Sequence, residues 1–457
     1  MQRVIAIARH TFWEGVRMRV VLVTMAVLIV LVPIMSGHLK GDGTVAGRLQ
    51  NFLSWSLGAL SVLLSLATIF FSCATLTHEF ASKSLHMIVT KPVSRLEILA
   101  GKWLGVNALA LLVILLSGLM IYVFAWFIRQ EPVKFERDRY KITDTVWTSR
   151  IAADPTVPDF EPAAREHIDA LAAQGSEFVS GREFAVQERV KELREQWINI
   201  PPGYDRAYQF ENIPEPDNPD AVLQVRFRMR AIPMPMDEMI DVGWAILDPE
   251  TGAVLQTLQT RERQSQRHQF LVRSRAVIGG KAVIAVANAF EQGRSIYFEG
   301  DDSFQLLYKV GSFEGNYVKT LALIQFRLAF LSAIALFFGT FVGYPVACFC
   351  VLCMYVFCLF APWWFEAIGA NLQTTDPRYD PYGGWGPLLR GLLLPPIRFL
   401  APNFAAYDGV DSLIDGFRIA PELIARAAGH TLLYGVALLG VPGWLIFRSR
   451  EVAQTIV

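Results

Sequence analysis

The chain has 457 residues, of which 53% are hydrophobic and 18% are charged, and its mean hydropathy is +0.34. Soluble domains carry about 25% charged residues, so this composition argues against an ordinary soluble protein. Lys plus Arg and Asp plus Glu both number 42, and this balance gives no reason to expect nucleic acid as a partner. A cleavable signal peptide is not expected, because the first apolar run starts only after Arg17 and Arg19.

Six apolar runs are long enough, some with their flanks, to cross a bilayer core about 30 Å thick as helices. They lie at about 20–36, 52–76, 103–127, 320–342, 344–364 and 430–447. A tight turn near Gly343-Tyr344-Pro345 separates the fourth run from the fifth, and proline suits the first turn of a helix. The sequence therefore predicts a polytopic α-helical membrane protein with six transmembrane helices.

The distribution of basic residues predicts the orientation of these helices. Lys and Arg are concentrated in the N-terminal segment, in the loop between the second and third runs, and in the C-terminal tail. The positive-inside rule makes all three segments cytoplasmic, as six spans allow. We therefore expect a multi-pass protein of a bacterial-type cytoplasmic (inner) membrane with both termini in the cytoplasm. Arginines between 390 and 426 argue mildly against this orientation, but their segment is long and also acidic.

Residues 2–18 form an amphipathic helical pattern with an apolar stripe that includes Val4, Ala8 and Phe12. Two interpretations stay open: a helix that lies in the membrane interface with its basic face toward headgroups, or a simple extension of the first span. This segment, the first three runs and the cytoplasmic loop 77–102 make up the first predicted region, residues 1–128.

Between the third and fourth runs lies an insertion, residues 129–317, which the topology places outside the cytoplasm. Its first part, 129–200, is predicted to be helical, as in Glu183–Trp197. Its second part, 201–312, is predicted to be β-rich, with a hairpin turn at 248–252. Several short strands at this spacing predict an α+β insertion with a β-sandwich or jelly-roll-like part. Further strands are predicted at 268–277, 281–288, 294–299 and 304–310.

One predicted strand carries a row of arginines. Leu223, Val225, Phe227 and Met229 alternate with polar residues that include Arg226, Arg228 and Arg230. Such alternation is typical of a half-buried strand. The arginines could form a ligand surface, but we interpret them as a solvated sheet face, because any such sheet shows alternate polar residues.

The last predicted region, residues 318–457, holds the remaining three runs. Its segment 365–429 is too polar to span, and we expect short re-entrant or interfacial helices there at the outer face. Gln325 and Arg327 in the fourth run form a possible intramembrane or interfacial polar site. If Arg327 lies inside the span, its charge indicates a function, since charges inside spans are costly. If the span begins at Leu328, Arg327 lies at the outer interface instead. Both interpretations stay open.

Two other patterns carry less weight. The cysteines between 348 and 358 spread over several helical faces, and we interpret them as core residues rather than metal ligands. Gly101 and Gly105 permit close approach of another helix.

The segment Thr77–Gly105 has the most informative pattern. Glu79 stands at the membrane exit and a short amphipathic piece with Leu85 follows. Then come Lys91-Pro92-Val93-Ser94-Arg95, Glu97 and Gly101-Lys102. Ser94 can cap the next helix, with Glu97 completing a capping box. An ordinary charged loop that anchors two spans is the alternative.

This pattern resembles the permeases of type-2 ABC exporters, whose loop carries an acid, a leucine-rich turn, P-V-S-R and E-x-x-x-G-K. The resemblance continues in the turn at 343–347 and near the C-terminus. The C-terminal matches are Pro402-Asn403-Phe404, Asp408, Asp411-Ser412-Leu413, Gly416 and residues 447–453. The resemblance covers the six spans and their loops, about half of the chain. The large insertion departs from the minimal family pattern.

The resemblance implies a division of labour with a separate ATPase on the cytoplasmic side. The loop 79–97 would dock on that ATPase, with Lys91 and Arg95 pairing with its acids. Two permease subunits, identical or different, would enclose the substrate path within the lipid bilayer. The implied coupling residues are Glu79, Leu85, Lys91, Pro92, Arg95, Glu97 and Lys102.

The chain has no G-x-x-x-x-G-K-[ST] motif, so we expect no catalytic residues and no cofactor of its own. ATP and Mg would be bound by the partner. The expected function is a permease that exports an unidentified substrate. Two alternatives stay open: an ABC-coupled mechanical or signalling protein that moves its outer domain without transport, and a membrane-anchored binding module without an ATPase.

Overall fold

The computed structural model describes residues 2–39, 41, 43–81, 93–133, 138–139, 141–174, 182–214, 222–233, 239–288, 293–298, 302–371, 392, 404 and 407–449. The chain divides into two compact units. The first combines Met1–Ser149 with Gly311–Val457, and the second is Arg150–Val310.

Helices dominate the described part of the first unit and contribute to the second. In chain order they are α1 (Gln2–Arg17), α2 (Arg19–His38), α3 (Val45–Ala81), α4 (Arg95–Arg129), α5 (Glu161–Ala173), α6 (Arg182–Ile198), α7 (Phe313–Gly339), α8 (Tyr344–Leu359), α9 (Ala361–Asn371), α10 (Val410–Ile414), α11 (Pro421–Tyr434) and α12 (Trp444–Ser449). Only α5 and α6 of these lie in the second unit.

Four helices, α2, α3, α4 and α7, are long and apolar enough to cross a membrane. They correspond to four of the six predicted runs. The fifth run is a broken helix, because α8 and α9 are bent by 63°. Pro362 explains the bend, since proline lacks an N–H and its ring clashes with the carbonyl four residues earlier. That carbonyl, on Cys358, instead accepts a hydrogen bond from the backbone N–H of Phe404 (3.3 Å).

The sixth predicted run, 430–447, falls on three helical segments that follow each other without a gap. They are α11, a π-helical stretch at Gly435–Gly443, and α12. Pro442 lies in the π-helical stretch. Proline has no backbone N–H to donate, and the wider π-helical turn tolerates the loss of that hydrogen bond. A sixth span stays a prediction.

The N-terminal helix packs on the start of α4. The backbone between α1 and α2 is extended at Met18 (φ −71°, ψ 133°), so α1 is not a straight extension of the first span. A Cβ added to Gly105 would lie 2.5 Å from the carbonyl oxygen of Ala8, and one added to Gly101 would lie 2.7 Å from Ile7 Cβ. The two glycines therefore allow α1 to pack backbone against backbone. Placement of α1 in the membrane interface stays a prediction.

One end of the first unit gathers the described parts of the three segments that the distribution of basic residues predicts to be cytoplasmic. Arg95 donates a hydrogen bond to the carbonyl of Phe447, which joins the start of α4 to α12. Gly339 at the end of α7 faces Leu76 of α3. The N-terminal helix, both ends of the α3–α4 loop and α12 thus lie together. The side of the membrane that this end faces stays a prediction.

The second unit is rich in β-structure. Its strands are β1 (Ser149–Ala153), β2 (Asn199–Ile200), β3 (Asp205–Phe210), β4 (Val222–Ile232), β5 (Met239–Leu247), β6 (Val254–Arg263), β7 (Arg267–Arg273), β8 (Ala282–Asn288), β9 (Ser295–Phe298) and β10 (Phe304–Gly311). One sheet has the order β1-β10-β4-β9-β2, with β7 also paired to β4, and the other has the order β3-β8-β5-β6. The part predicted as helical thus also contains β1 and β2, because these strands pair with β10 and β9, far along the chain.

Both sheets contribute to one apolar core. Tyr208 and Trp244 from one sheet and Phe227, Phe298 and Phe304 from the other are buried together in it. Strand pairings such as β4 with β10 and β5 with β8 are antiparallel. A β-rich region is therefore confirmed, and its classification as a sandwich or jelly roll stays a prediction.

Strand β4 has the alternation that its sequence predicts. Leu223, Val225, Phe227 and Met229 are buried, while the intervening arginines are more exposed. The arginines are not bare, because Arg226 binds the side chain of Gln305 and Arg228 pairs with Asp302 (3.3 Å). These side-chain contacts join β4 to β10 and to the residues just before it.

The predicted hairpin turn joins β5 to β6. The Asp248 carboxylate accepts hydrogen bonds from the backbone N–H groups of Glu250 (2.8 Å) and Thr251 (3.3 Å). These bonds lower the pKa of Asp248, because they favour the charged carboxylate. Gly252 takes the left-handed conformation (φ 69°) that the turn requires.

We expect Gly105→Ala to destabilise the first unit by about 1–3 kcal/mol, because the new methyl group collides with the backbone of α1. The measurement is thermal and denaturant unfolding of the detergent-solubilised chain. Gly58→Ala is the matched control, because a Cβ there meets no atom within 4 Å. Equal stability of the two variants would contradict the close α1–α4 packing.

Candidate functional site

A buried ion pair joins α3 to α4 just inside the loop that connects them. Lys102 Nζ lies 2.8 Å from Glu79 Oε1 and donates a hydrogen bond to the carbonyl of Thr75 (3.0 Å). Only 1% of Lys102 and 9% of Glu79 is exposed. Glu79 Oε2 is buried and has no hydrogen-bond partner within the described part of the chain. The pair holds the two ends of the loop together and leaves one carboxylate oxygen for a further donor.

Local sequence explains why these residues meet. Ser94 caps α4: its side chain accepts a hydrogen bond from the Glu97 N–H (3.2 Å), and the Glu97 carboxylate accepts one from the Ser94 N–H (2.8 Å). This confirms the predicted capping box. With α4 starting at Arg95, Lys102 comes two turns into the helix, beside the last turns of α3.

Arg95 makes its contacts inside the chain. It binds the Phe447 carbonyl, and its guanidinium carbon lies 5.2 Å from the centre of the Phe447 ring. Phe80 packs edge-on against that ring with 5.7 Å between centroids. Arg95 and Phe80 therefore tie both ends of the α3–α4 loop to α12. Three of the predicted coupling residues, Leu85, Lys91 and Pro92, lie outside the described residues.

A second polar site surrounds Arg327 inside the bundle. Its guanidinium donates hydrogen bonds to Ser61 Oγ of α3 (2.7 Å) and to the Phe404 carbonyl (3.1 Å), and it lies 3.6 Å from Asp408 Oδ2. It also lies 5.6 Å from the centre of the Phe404 ring. Only 5% of Arg327 is exposed.

Arg327 is buried in the interior of α7, and the choice between an intramembrane and an interfacial position stays a prediction. It lies near the middle of the 27-residue α7, which contains an 18-residue stretch apolar enough to span. A span that begins at Leu328 would discard half of that helix. A buried guanidinium persists in such a place only when several acceptors surround it, as Ser61, Phe404 and Asp408 do.

The segment that carries Asp408 is fastened along the first half of α7. Asn316 donates to the Phe417 carbonyl (2.6 Å) and accepts from the Ile419 N–H (3.1 Å), while Lys319 Nζ donates to the Ile419 carbonyl (3.1 Å). Gly416 has φ 67°, and a Cβ there would collide with the Thr145 carbonyl. Several polar groups of residues 408–419 are thus bound by side chains of α7, Arg327 among them.

Acidic residues crowd the start of this segment. Burial, together with the charges of Asp408 and Asp415, raises the pKa of Asp411. Asp408 faces Arg327. Arg327 therefore places a cation beside this acidic segment.

Gln325 lies apart from Arg327, on another face of α7. It donates hydrogen bonds to the Asn107 carbonyl (3.3 Å) and side-chain oxygen (3.2 Å) of α4. Asn107 in turn binds Ser332 Oγ (3.1 Å). The sequence pairs Gln325 and Arg327 in one site, but the structure gives them separate partners, because residues two apart on a helix point to different faces.

The sequence did not predict which residues bind Lys102, Arg95 and Arg327. Nothing local indicates that Lys102 pairs with Glu79 or that Phe447 accepts from Arg95. Asp408 and Phe404 stood out only through the family resemblance. Within the described ranges, no group of three or more His, Cys, Asp or Glu side chains is arranged to hold a metal ion.

Comparison with known families finds a match for the N-terminal part of the chain. Residues 5–137 match the family model described as ABC-2 family transporter protein. This confirms the resemblance to type-2 ABC permeases over α1–α4 and supports a permease role in ABC transport. The match includes Glu79, the loop and Lys102, and it leaves most of the insertion uncovered. No curated protein and no solved structure matches the chain.

We expect Lys102→Met to cost about 3–5 kcal/mol of stability, because it leaves the Glu79 carboxylate buried without its cation. The double variant Glu79→Leu with Lys102→Met should recover much of this loss. Unfolding of the detergent-solubilised chain measures both.

The control for this ion pair is Arg165→Met, which breaks exposed pairs with Glu161 and Glu183 and should cost about 1 kcal/mol or less. If Lys102→Met is no more costly than this control, the buried pair does not join the helices as described.

We expect Arg327→Lys to loosen residues 408–419, because an ammonium group cannot serve Ser61, Phe404 and Asp408 at once as a guanidinium fork does. The measurement is the rate of trypsin cleavage after Arg418 in the solubilised chain. Cleavage should accelerate about tenfold or more, the effect of losing one charge-assisted hydrogen bond. Arg9→Lys, at an exposed position of α1, should leave the rate unchanged.

Proposed function

We propose that this chain is the membrane-spanning permease subunit of an ATP-driven exporter whose ATPase is a separate protein. The observation that carries the proposal is the buried Glu79–Lys102 pair, which holds the ends of the α3–α4 loop inside the region matched to the ABC-2 transporter family. A loop fastened at both ends to spanning helices is a suitable element for receiving force from a partner.

The contacts around the loop support a route for that force. Movement of the loop reaches α3 through Glu79, α4 through Lys102 and α12 through Arg95. ATP binding by the partner would favour one arrangement of these helices over another, and hydrolysis would release it. In this scheme Glu79, Arg95, Glu97 and Lys102 are positioning residues, and Lys91 is the residue that meets the partner.

The remaining architecture follows from this role. Two permease subunits, identical or different, enclose the path. Segment α11–α12 with its π-helical stretch forms the sixth span, so that both termini face the cytoplasm of an inner membrane. The second unit, with its two sheets as a sandwich, then stands outside. ATP and Mg belong to the ATPase subunit.

The test begins with the native membrane, from which the tagged chain is purified and any co-purifying ATP-binding protein is identified. That protein is co-expressed with the chain, and complex recovery and ATP hydrolysis are measured in proteoliposomes. We expect Lys91→Glu to lower recovery of the ATPase about tenfold, because it places like charges together at the contact.

Lys309→Glu reverses an exposed lysine of β10 and is the matched control, which should leave recovery unchanged. Equal recovery with both variants would remove the docking role of the loop. An ATPase that couples to the chain while no solute leaves the vesicles would support the mechanical or signalling alternative instead of export.

A further inference from the structure

The N-terminal helix α1 has an outer face that the proposed function does not use. Its inner face packs against α4, where Thr11 meets Gly105 and Gly15 meets Leu109. Trp13 lies two residues from both Thr11 and Gly15, which turns its side chain by about 160° from each of them. Trp13 therefore points away from α4, and 52% of this residue is exposed.

Two arginines flank Trp13 on this outer face. Arg9 lies four residues before it and Arg17 four residues after it, the spacing that makes side chains neighbours on a helix. Both arginines are exposed, and neither forms a hydrogen bond or an ion pair with another residue in the described part of the chain. With His10 and Glu14 they line an open groove of about 740 Å³. Since α1 contains three arginines and one acid, Glu14, this helix has a net positive charge.

The contacts of α1 indicate how deep this groove lies in a membrane. The helix packs on Gly101 and Gly105, which stand on either side of residue 103, where the third apolar run begins. After Met18 the chain continues directly into α2, which is long and apolar enough to span. Polar headgroups border the hydrocarbon core at the ends of apolar runs. The groove is therefore at the level of the headgroups.

We infer that the groove of Arg9, Trp13 and Arg17 binds the headgroup phosphate of an acidic phospholipid. The two guanidinium groups donate hydrogen bonds to phosphate oxygens, and the indole ring lies at the boundary between headgroups and acyl chains. Ile5, one turn before Arg9 on the same face and 57% exposed, contacts the acyl chains.

The chemistry of this face favours a lipid over an acidic protein surface. An acidic protein would match the two arginines but would leave Ile5 and Trp13 against polar groups, whereas a phospholipid offers a phosphate and acyl chains side by side. An acidic headgroup also has no ammonium group of its own to compete with the arginines for the phosphate, so it gains more from them than a zwitterionic headgroup does.

The experiment measures lipid binding to the full chain in a neutral detergent by native mass spectrometry. The probes are phosphatidylglycerol and phosphatidylcholine with identical acyl chains. We expect phosphatidylglycerol to bind about tenfold or more tightly than phosphatidylcholine. The double variant Arg9→Gln with Arg17→Gln should lower this preference about tenfold, and Arg9→Lys with Arg17→Lys should keep most of it, because the charges remain.

A matched control separates this groove from general attraction between charges. Arg267→Gln with Arg273→Gln removes two exposed arginines from β7 and should leave the preference unchanged. A photoactivatable phosphatidylglycerol should label α1 in the unaltered chain and lose that labelling in the Arg9→Gln, Arg17→Gln variant. Thermal unfolding of each variant checks that the chain is still folded.

Equal binding of the two lipids, or an equal loss of preference in the control, would overturn the inference. The same holds if the Arg9→Gln, Arg17→Gln variant keeps the lipid preference but lowers recovery of the ATPase, because the face would then bind the partner protein. Lipid binding is measured on the chain alone, so its failure would leave the docking role of the α3–α4 loop untouched.

Discussion

The buried Glu79–Lys102 ion pair is the interaction on which the loop-bearing end of the helical unit depends. Two charges withdrawn from water are tolerated only if they meet each other and further polar groups, and here Thr75 supplies the third partner. The requirement fixes the spacing between the end of α3 and the start of α4. The capping box and the Arg95 contact with α12 are arranged around that spacing, so the loop is presented from a rigid base.

The same constraint operates deeper in the bundle. Lipid offers no hydrogen-bond partners, so polar groups between the helices depend on other parts of the chain for theirs. Arg327 binds a hydroxyl of α3 and a carbonyl and a carboxylate of the stretch around Phe404 and Asp408, and Asn316 and Lys319 continue the same pattern toward the start of α7. A stretch too polar to span is thereby held against a spanning helix.

The second unit is stabilised differently from the helical unit, by an apolar core to which both of its sheets contribute. Its polar residues are then available for other uses. The arginine row of β4 illustrates this: the interpretation as a solvated face holds for its exposure, yet Arg226 also orients Gln305 and, through it, Asp154. Alternation alone predicts only that Arg226 faces solvent, whereas the structure places it in a hydrogen-bond chain that runs through Gln305 to Asp154.

The sequence by itself determined four of the helices long enough to span a membrane, most strands, the hairpin turn and the capping box, because these depend on local periodicity and on side chains that bond to their own backbone. It also identified Glu79, Lys102 and Arg327 as unusual. Only the tertiary structure decided their partners, the bend at Pro362, the separation of Gln325 from Arg327 and the packing of α1 on Gly101 and Gly105. Those features depend on residues distant in the chain meeting at close range, and a one-dimensional pattern carries no information about which ones meet.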